Sequence, residues 1–419
     1  MRNAPFWWIF LGFLFLLDVY VFQVMRHLST GAAPRARLLL HGSYWVVSVL
    51  SLLLLLFLPY LFAKNASQLA RSVVFALIAG LFLAKLVAAL FFLTDDLRRA
   101  LQWGVIKIFY TKPATTAAGD ADLITRSTFL SWAGMLAGSG LFGLLTYGMG
   151  NRYSYQVKKI RLSFDSLPAA FNGLRIVHIS DIHSGSFTDR AAVEKGIEKI
   201  LAQQPDLILF TGDLVNNLAS EMTPYIDLFS RLKAPMGVYA VLGNHDYADY
   251  VKWDSASAKQ ENLETLKQLQ AQMGWRLLLN EHVVLQKEQD ELLLLGVENW
   301  SAKPRFPKYG NLAQAYGDAS SSAFKILMTH DPSHWRAEVC EKYTDIALTL
   351  SGHTHGMQFG VELPGMRWSP VQYFYNEWAG LYEQGRQKLY VNTGFGFIGY
   401  PGRVGMLPEI TLIELFSKD

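Results

Sequence analysis

The chain has 419 residues, 51% of them hydrophobic and 17% charged, with a formal net charge of +3. That length suits one large domain or two ordinary ones, and the charge content falls below the roughly 25% of an average soluble domain. A balance of +3, with no Lys/Arg block and no basic stripe interleaved with aromatics, gives no nucleic-acid-binding signal. The lone cysteine, Cys340, excludes an internal disulfide and leaves the compartment open.

Apolar residues crowd into positions 1–150, whereas 151–419 carries most of the Asp, Glu and Lys. Four stretches in the first part, at about 6–25, 38–62, 69–93 and 128–149, reach the roughly 20 residues a helix needs to cross hydrocarbon. The first is not expected to be a cleaved signal peptide, being too long, with only Arg2 before it and Asp18 within it. Residues 1–150 are therefore expected to be an all-α membrane domain of four helices, integral to the cell membrane and multi-pass. Thr94–Tyr110 mixes Asp95, Asp96, Arg98, Arg99 and Lys107 with Leu97, Leu101 and Trp103. That pattern suits either a separate amphipathic helix at the interface, with Trp103 and Tyr110 at headgroup level, or a plain connector. The loop arginines and lysines, counted by the positive-inside rule, favour residues 151–419 on the extracytoplasmic side. A degenerate twin-arginine match at Thr125-Arg-Ser-Thr-Phe-Leu130 agrees with that orientation. Asp18 and Lys85, the two charges well inside the spans, fall at similar depth on helices running the same way. They are expected to form a structural ion pair.

After Gly150 the pattern changes to short apolar runs that end in polar clusters. Strands are expected at Leu174–Ser180, Asp206–Thr211, Gly237–Leu242, Phe324–Thr329 and Asp345–Leu350. Helices are expected near Asp189–Gln203, Glu221–Leu232 and Lys259–Met273. Alternation of this kind puts a site along the carboxyl edge of the sheets. Later runs (Trp275–Leu279, Glu291–Leu295, Lys388–Asn392 and Glu409–Leu415) lack intervening helices, which predicts some antiparallel pairing.

The strand-end clusters read Asp181-Ile-His183, Gly212-Asp213, Gly243-Asn244-His245-Asp246, His330-Asp331 and Gly352-His353-Thr354-His355. A mixed oxygen–nitrogen set suits Mn, Fe or Zn rather than Ca or a thiolate site. It offers too many ligands for one tetrahedral ion with an open position. Two divalent ions sharing a carboxylate would use them all, which is the usual clamp for attack at phosphorus.

These five ordered blocks resemble the calcineurin-like metallophosphoesterases, from about Leu174 to the C-terminus. The final block and ending, Gly352-His-Thr-His-Gly-Met-Gln358 and Pro408-Glu-Ile410, are similar to the bacterial membrane-linked branch, with Met357 where that branch has glycine. The resemblance implies an α/β fold, a four-layer α/β/β/α sandwich over 151–419, and a metal-dependent phosphoric ester hydrolase. It implies Asp181, His183 and His355 on one metal, Asn244, His330 and His353 on the other, and Asp213 bridging. It also implies His245 as the group that protonates the leaving oxygen. Where many relatives carry a carboxylate to orient that histidine, this chain has Asn216. Its amide, or Asp246 in its place, is the expected substitute. Arg403 is a candidate for a substrate phosphate. His178 is expected to be a core or ligand-supporting residue, and His282 and His334 surface residues.

Leu363–Tyr382, with Met366, Trp368, Tyr373, Phe374, Tyr375 and Trp378, is rich in aromatics for a loop. It reads either as packing over the sheet or as an apolar, membrane-dipping wall that admits a lipid-linked phosphate. The substrate expected is accordingly a phosphorylated small molecule or lipid. The competing readings are a catalytically weak metal- or phosphate-binding membrane protein that signals, and a transporter supported by Asp18 and Lys85 alone.

Overall fold

A computed structural model of the protein describes residues 4–61, 68–109, 126–319 and 323–418. It divides into two compact units, Met1–Tyr147 and Gly148–Asp419.

The first unit consists of helices α1 (Ala4–Leu28), α2 (Pro34–Leu61), α3 (Gln68–Phe109) and α4 (Arg126–Gly148). All four are long and apolar enough to cross a membrane. Leu14, Leu17, Val21, Leu55, Ile78, Phe82 and Phe92 of α1, α2 and α3 form a core, against which Met135 of α4 packs. Two glycines let α4 approach α3 closely: a Cβ at Gly138 would stand 2.5 Å from the Ala84 carbonyl oxygen, and one at Gly134 2.9 Å from that of Ala88. The separate interfacial helix expected from residue 94 is not what forms, because α3 continues unbroken to Phe109. No Pro or Gly interrupts it near Thr94, whose hydroxyl donates back to the Leu90 carbonyl instead of capping a new helix (2.8 Å). Tyr110 and Thr125 lie outside the described residues. The acidic pair just beyond is tied to other helices, with Tyr20 of α1 donating to Asp96 and Ser127 of α4 to Asp95.

Asp18 is fully buried and ion-paired with Lys85 between α1 and α3. Ser48 of α2 joins them, donating to Asp18 Oδ1 at 3.0 Å and accepting from Lys85 Nζ at 2.8 Å. The Tyr44 hydroxyl donates to the Asp18 carbonyl at 2.7 Å.

In the second unit two six-stranded sheets stack face to face. The first runs β1 (Gln156–Phe164), β14 (Glu409–Ser417), β2 (Leu174–Ile179), β3 (Leu207–Phe210), β4 (Val238–Ala240), β5 (Arg276–Leu277). The second runs β12 (Gly380–Gln384), β13 (Gln387–Val391), β9 (Ile346–Ser351), β8 (Phe324–Met328), β7 (Asp290–Gly296), β6 (Glu281–Lys287). Strands β2 to β5 are parallel, as are β7, β8, β9 and β13. The β14–β2, β6–β7 and β12–β13 pairs are antiparallel. A small antiparallel hairpin, β10 (Val361–Leu363) with β11 (Met366–Trp368), stands apart from both sheets.

Side chains alternate across a strand, and here both faces are buried. Leu174 and Ile176 of β2 enter the core between the sheets with Leu292, Ile326 and Leu348. Val177 and Ile179 turn the other way, against Val193, Ile197 and Leu266. Those last residues come from α5 (Arg190–Leu201) and from α7 (Ala256–Gln272), which follows the single turn α6 (Ile226–Phe229). On the far side of the second sheet, Leu312 of α8 (Leu312–Tyr316), Trp335 and Val339 cover Leu295 and Leu327. The order helix, sheet, sheet, helix is the four-layer α/β/β/α sandwich.

The ion pair in the first unit sets a test. Removing one member of a buried pair strands the other, at a cost of roughly 3–5 kcal/mol. Asp18→Asn and Lys85→Met should each lower the thermal midpoint of the detergent-solubilised protein, and the double variant should recover part of the loss. Unchanged midpoints in both single variants would show that the pair carries no stability.

Candidate metal centre and active site

The strand-end clusters of both sheets converge. Asp181 and His183 follow β2, Asp213 follows β3, Asn244 and His245 follow β4, His330 follows β8, and His353 and His355 follow β9. Backbone bonds knit these loops together: Asp181 N–H to Gly212 O (2.9 Å), His183 N–H to Asp213 O (3.1 Å) and Gly352 N–H to His330 O (2.9 Å). Gly352 has no room for a side chain, since a Cβ there would lie 1.9 Å from Ser180 Oγ.

Asp181, His183, Asp213, His353 and His355 all hold φ between 49° and 72°. Left-handed backbone is uncommon away from glycine and is found clustered at functional sites. Met357 shares it, at φ 54°, so the glycine usual at that position in the resembling branch has a steric reason.

The ring and carboxylate atoms gather in two groups, Asp181–His183–His355 and Asp213–His330–His353. In the first, His183 Nε2 lies 3.1 Å from His355 Nε2, and His355 Nε2 3.3 Å from Asp181 Oδ1. In the second, His330 Nε2 lies 3.2 Å from both Asp213 Oδ2 and His353 Nδ1. Asp213 Oδ2 is also 3.5 Å from His183 Nε2, which sets this carboxylate between the groups. An ion with bonds of about 2.0–2.2 Å to nitrogen and oxygen holds neighbouring donors about 3–3.5 Å apart, and these spacings fit. Asn244 supplies a further sign. Its Nδ2 donates to the Tyr250 hydroxyl (2.8 Å), while its Oδ1 is buried with no hydrogen-bond partner among the described residues. An orphaned buried acceptor is costly, and a cation would satisfy it.

The electrostatics suit a cation too. Burial lowers the pKa of His183 to about 3 and of His353 to about 4, and holds His355 well below its ordinary value. These imidazoles are therefore neutral, which is the form that binds metal. Burial pushes Asp181 up to about 6 and Asp246 up to about 7, with the Asp213 carboxylate adding to both. Burial would lower His330 as well, but the adjacent Asp213 carboxylate outweighs it and lifts this imidazole to about 10. Without a metal the second group thus holds its positive charge as a proton on His330, and a cation there would take that proton's place.

His245 lies beside the two groups, half-buried, with its ring 5.0 Å from that of His183. Its N–H donates to Asp213 Oδ1 (2.8 Å), and its Nδ1 lies 2.7 Å from the main-chain carbonyl of Asn216. That contact corrects the expectation that the Asn216 amide or Asp246 orients the ring. The Asn216 amide pairs with Ser186 Oγ (3.0 Å). The Asp246 carboxylate instead accepts from the N–H groups of Asp213, Leu214, Val215 and Gly243, at 2.8–3.3 Å. Glu221 fixes the loop that supplies the orienting carbonyl, accepting from Asn216 N–H at 2.6 Å.

Arg403 departs from expectation too. Its guanidinium is fully buried and donates to the carbonyls of Thr393 (2.7 Å), His355 (3.2 Å), Gly394 (3.2 Å) and Gly396. Enclosed by main chain, it braces the loop behind His355 and does not face a substrate. His178 is a core residue, 2.9 Å from Thr211 Oγ1. His334, expected at the surface, is buried between Thr329 Oγ1 and Glu338 Oε2 (2.9 Å each) and stacks on Trp300. His282 is partly exposed, with Nδ1 2.8 Å from the Ala315 carbonyl.

Three neighbours of the centre were given no role by the sequence. Tyr250 orients Asn244 and packs its ring 4.6 Å from that of His245. The Tyr375 hydroxyl lies 2.9 Å from His353 Nε2 and donates to Asp331 Oδ2 at 3.2 Å. Asp331, directly after His330 in its strand-end cluster, is the one that position could have flagged; Tyr375 was visible only as part of an aromatic segment.

Comparison with known proteins agrees with this architecture. Residues 1–151 match the family model "Probable Calcineurin-like phosphoesterase, transmembrane domain", and residues 174–357 match "Calcineurin-like phosphoesterase". The metallophosphoesterase YkuE of Bacillus subtilis is 30% identical over 67% of this chain and 96% of its own length. A transmembrane protein with metallophosphoesterase domain from Danio rerio is 29% identical over 65% of this chain, which spans only 60% of that relative. The UDP-2,3-diacylglucosamine pyrophosphatase LpxG of Chlamydia trachomatis is 27% identical over 60% of this chain and 88% of its own length. With YkuE matched over nearly its whole length and both units recognised, the chain belongs to the calcineurin-like metallophosphoesterase family.

Proposed function

We propose that the protein is a membrane-anchored phosphoesterase that hydrolyses a phosphoester or phosphoanhydride at a two-metal centre, with a lipid-linked phosphate as its substrate. The observation that carries this reading is the pair of donor groups flanking Asp213 with a half-buried histidine beside them. Asp181, His183 and His355 would hold one divalent ion, and Asn244, His330 and His353 the other, with Asp213 shared. Mn, Fe and Zn all suit these donors. When bound, two such ions acidify water and neutralise phosphate oxygens.

The remaining work falls to the protein's own groups. The Asn216 carbonyl accepts a hydrogen bond from the Nδ1–H of His245 and so fixes the ring; in its doubly protonated form the ring gives the Nε2 proton to the departing oxygen and keeps the Nδ1 one. Asp213 holds the same residue through its main-chain N–H. Because the orienting acceptor is a carbonyl, Nδ1 is held by a neutral group in place of a carboxylate. The name of the LpxG relative, a pyrophosphatase of a diacylated nucleotide sugar, and the four apolar helices support a lipid-linked substrate. The helices would cross the membrane in turn, with the catalytic unit on the extracytoplasmic side, as the loop charges favour.

Detergent-purified protein with Mn²⁺ should hydrolyse p-nitrophenyl phosphate or its bis ester. Asp213→Asn should abolish this activity. His245→Gln should lose about 10²–10⁴-fold on esters with poor leaving groups and less on p-nitrophenyl esters, which leave without a proton. Absence of turnover in the unaltered protein with Mn, Fe and Zn alike would sink the hydrolase reading.

A second comparison tests how His245 is held. Asn216→Ala keeps the carbonyl and should change kcat/KM by less than about tenfold, or 1.4 kcal/mol. Asp246→Ala frees four buried N–H groups and should destabilise the fold by roughly 2 kcal/mol or more, read as a lower denaturation midpoint. A larger catalytic loss in Asn216→Ala than in His245→Gln would assign the orienting role to the amide after all.

A further inference from the structure

The hairpin β10–β11 is built inside out for a hairpin in water. Cross-strand register pairs Val361 with Trp368 and Leu363 with Met366, which places these four apolar side chains on one face. Glu362 pairs with Arg367 on the other. A hairpin with one solvated face buries its apolar side, and this one leaves it exposed. Val361, Leu363, Met366 and Trp368 are exposed, Leu363 and Met366 by 57% and 53%. On the other face Glu362 is half-buried, and Arg367, itself still exposed, folds over Trp378. They pair with each other (3.3 Å), Lys158 reaches Glu362 at 2.8 Å, and Arg367 donates to the Ala379 carbonyl. Tyr373 and Phe374, a few residues on, add 74% and 61% exposure. The outward surface is therefore apolar and aromatic, and the charges beneath it are already paired.

Two connections say what covers this surface. Phe359 and Gly360, which lead into β10, bridge to Val404, with Gly360 N–H donating to Val404 O at 2.8 Å. The adjacent Arg403 N–H donates to the carbonyl of Gly148, where the second unit begins and the last apolar helix ends (2.9 Å). The hairpin is thus tied, within the second unit, to the residue at which α4 ends. On the other side, Tyr375 follows Phe374 directly and reaches His353 and Asp331. One segment runs from an exposed apolar face to the metal-ligand cluster.

We infer that the β10–β11 hairpin, with Tyr373 and Phe374, is a membrane-docking surface that dips into the acyl–headgroup boundary of the bilayer and presents the cleft to phosphates at that depth. Aromatic residues favour that boundary, and an apolar face rimmed by paired charges is the form such a contact takes. The inference builds on the reading of a membrane-anchored phosphoesterase acting on a lipid-linked phosphate, yet its first test reads no catalysis.

Full-length protein would be reconstituted in phosphatidylcholine–phosphatidylglycerol vesicles, with nitroxide labels on Leu363→Cys, Phe374→Cys and, on the exposed start of α7, Ser257→Cys. Buried Cys340 remains in place, and unaltered protein serves as the labelling blank. Collision with oxygen relative to a water-soluble nickel chelate should be severalfold higher at 363 and 374 than at 257. Equal ratios at the three positions would overturn the proposal. So would a short 363–363 distance between copies by pulsed electron resonance, which would mean that a second copy covers the face. A Leu363→Asp/Met366→Asp double variant supplies the functional arm. It should keep turnover of soluble p-nitrophenyl phosphate and lose severalfold on a hexadecyl p-nitrophenyl phosphodiester held in vesicles. Unchanged turnover of both would reject the delivery role. Inactivity of the unaltered protein on both would reject the hydrolase reading and leave the depth result standing.

Discussion

The second unit is organised around the cost of gathering carboxylates and imidazoles where water cannot reach them. Asp181, Asp213, Asp246, Asp331, His330 and His355 are all buried within one cleft, and each charge there needs a partner. The fold answers with parallel strands whose carboxyl ends meet at one place, so that five loops from two sheets deliver donors to a common point. Asp246 then fastens the β3 and β4 loops by taking four main-chain N–H groups. Left-handed backbone at five of the donor residues adds strain, which persists only because the surrounding sheets over-determine the loops. A divalent ion held by each donor group, as proposed above, would offset that cost.

Much of that arrangement was legible in the chain, and the reason is physical. Strands buried on both faces read as continuous apolar runs, and the polar residue that ends such a run marks the sheet edge. Leu174–Ser180 and Asp345–Leu350 are of this kind, which is why the donors could be named before their positions were known. The edge strand β1 was not legible. Its Lys158, Lys159 and Arg161 break the apolar pattern, and its partner β14 lies some 250 residues away, in register from Gln156 with Glu409. The direction in which polar side chains point was not legible either. Asn216 serves His245 through its carbonyl, which every residue possesses, so its identity carries no signal. Arg403 and His334 look like surface residues by type, yet each finds a closed set of partners inside. Residue type announces capacity; the partners decide its use.

The first unit obeys a simpler rule. A hydrogen-bonded helix satisfies its own backbone in lipid, so only side chains need matching, and the few polar ones matter most. Asp18 and Lys85 could be paired from depth alone because two helices rising in the same direction keep register by residue count. Ser48 and Tyr44 could not be foreseen, since hydroxyls on a span give no depth signal of their own. Together they make a small polar knot in an otherwise apolar core, linking α1, α2 and α3. The continuation of α3 through Thr94 follows from the same economy, for a charged stretch with no breaker keeps the helix it inherits.

A two-stranded hairpin is marginal by itself in water, and four exposed apolar side chains would bind a bilayer only weakly if the domain were free. Tethering changes that balance. A domain held by apolar spans meets lipid at a high effective concentration, so a contact too weak to recruit it can still orient it. An outward apolar face that would be a liability on a soluble enzyme is then an asset, and paired charges beneath it keep the hairpin from turning over. Orientation matters most for a site that must meet a phosphate lying at the bilayer surface. Tyr375, hydrogen-bonded to His353 and adjacent in sequence to Phe374, is the residue through which such an orientation would be felt at the centre.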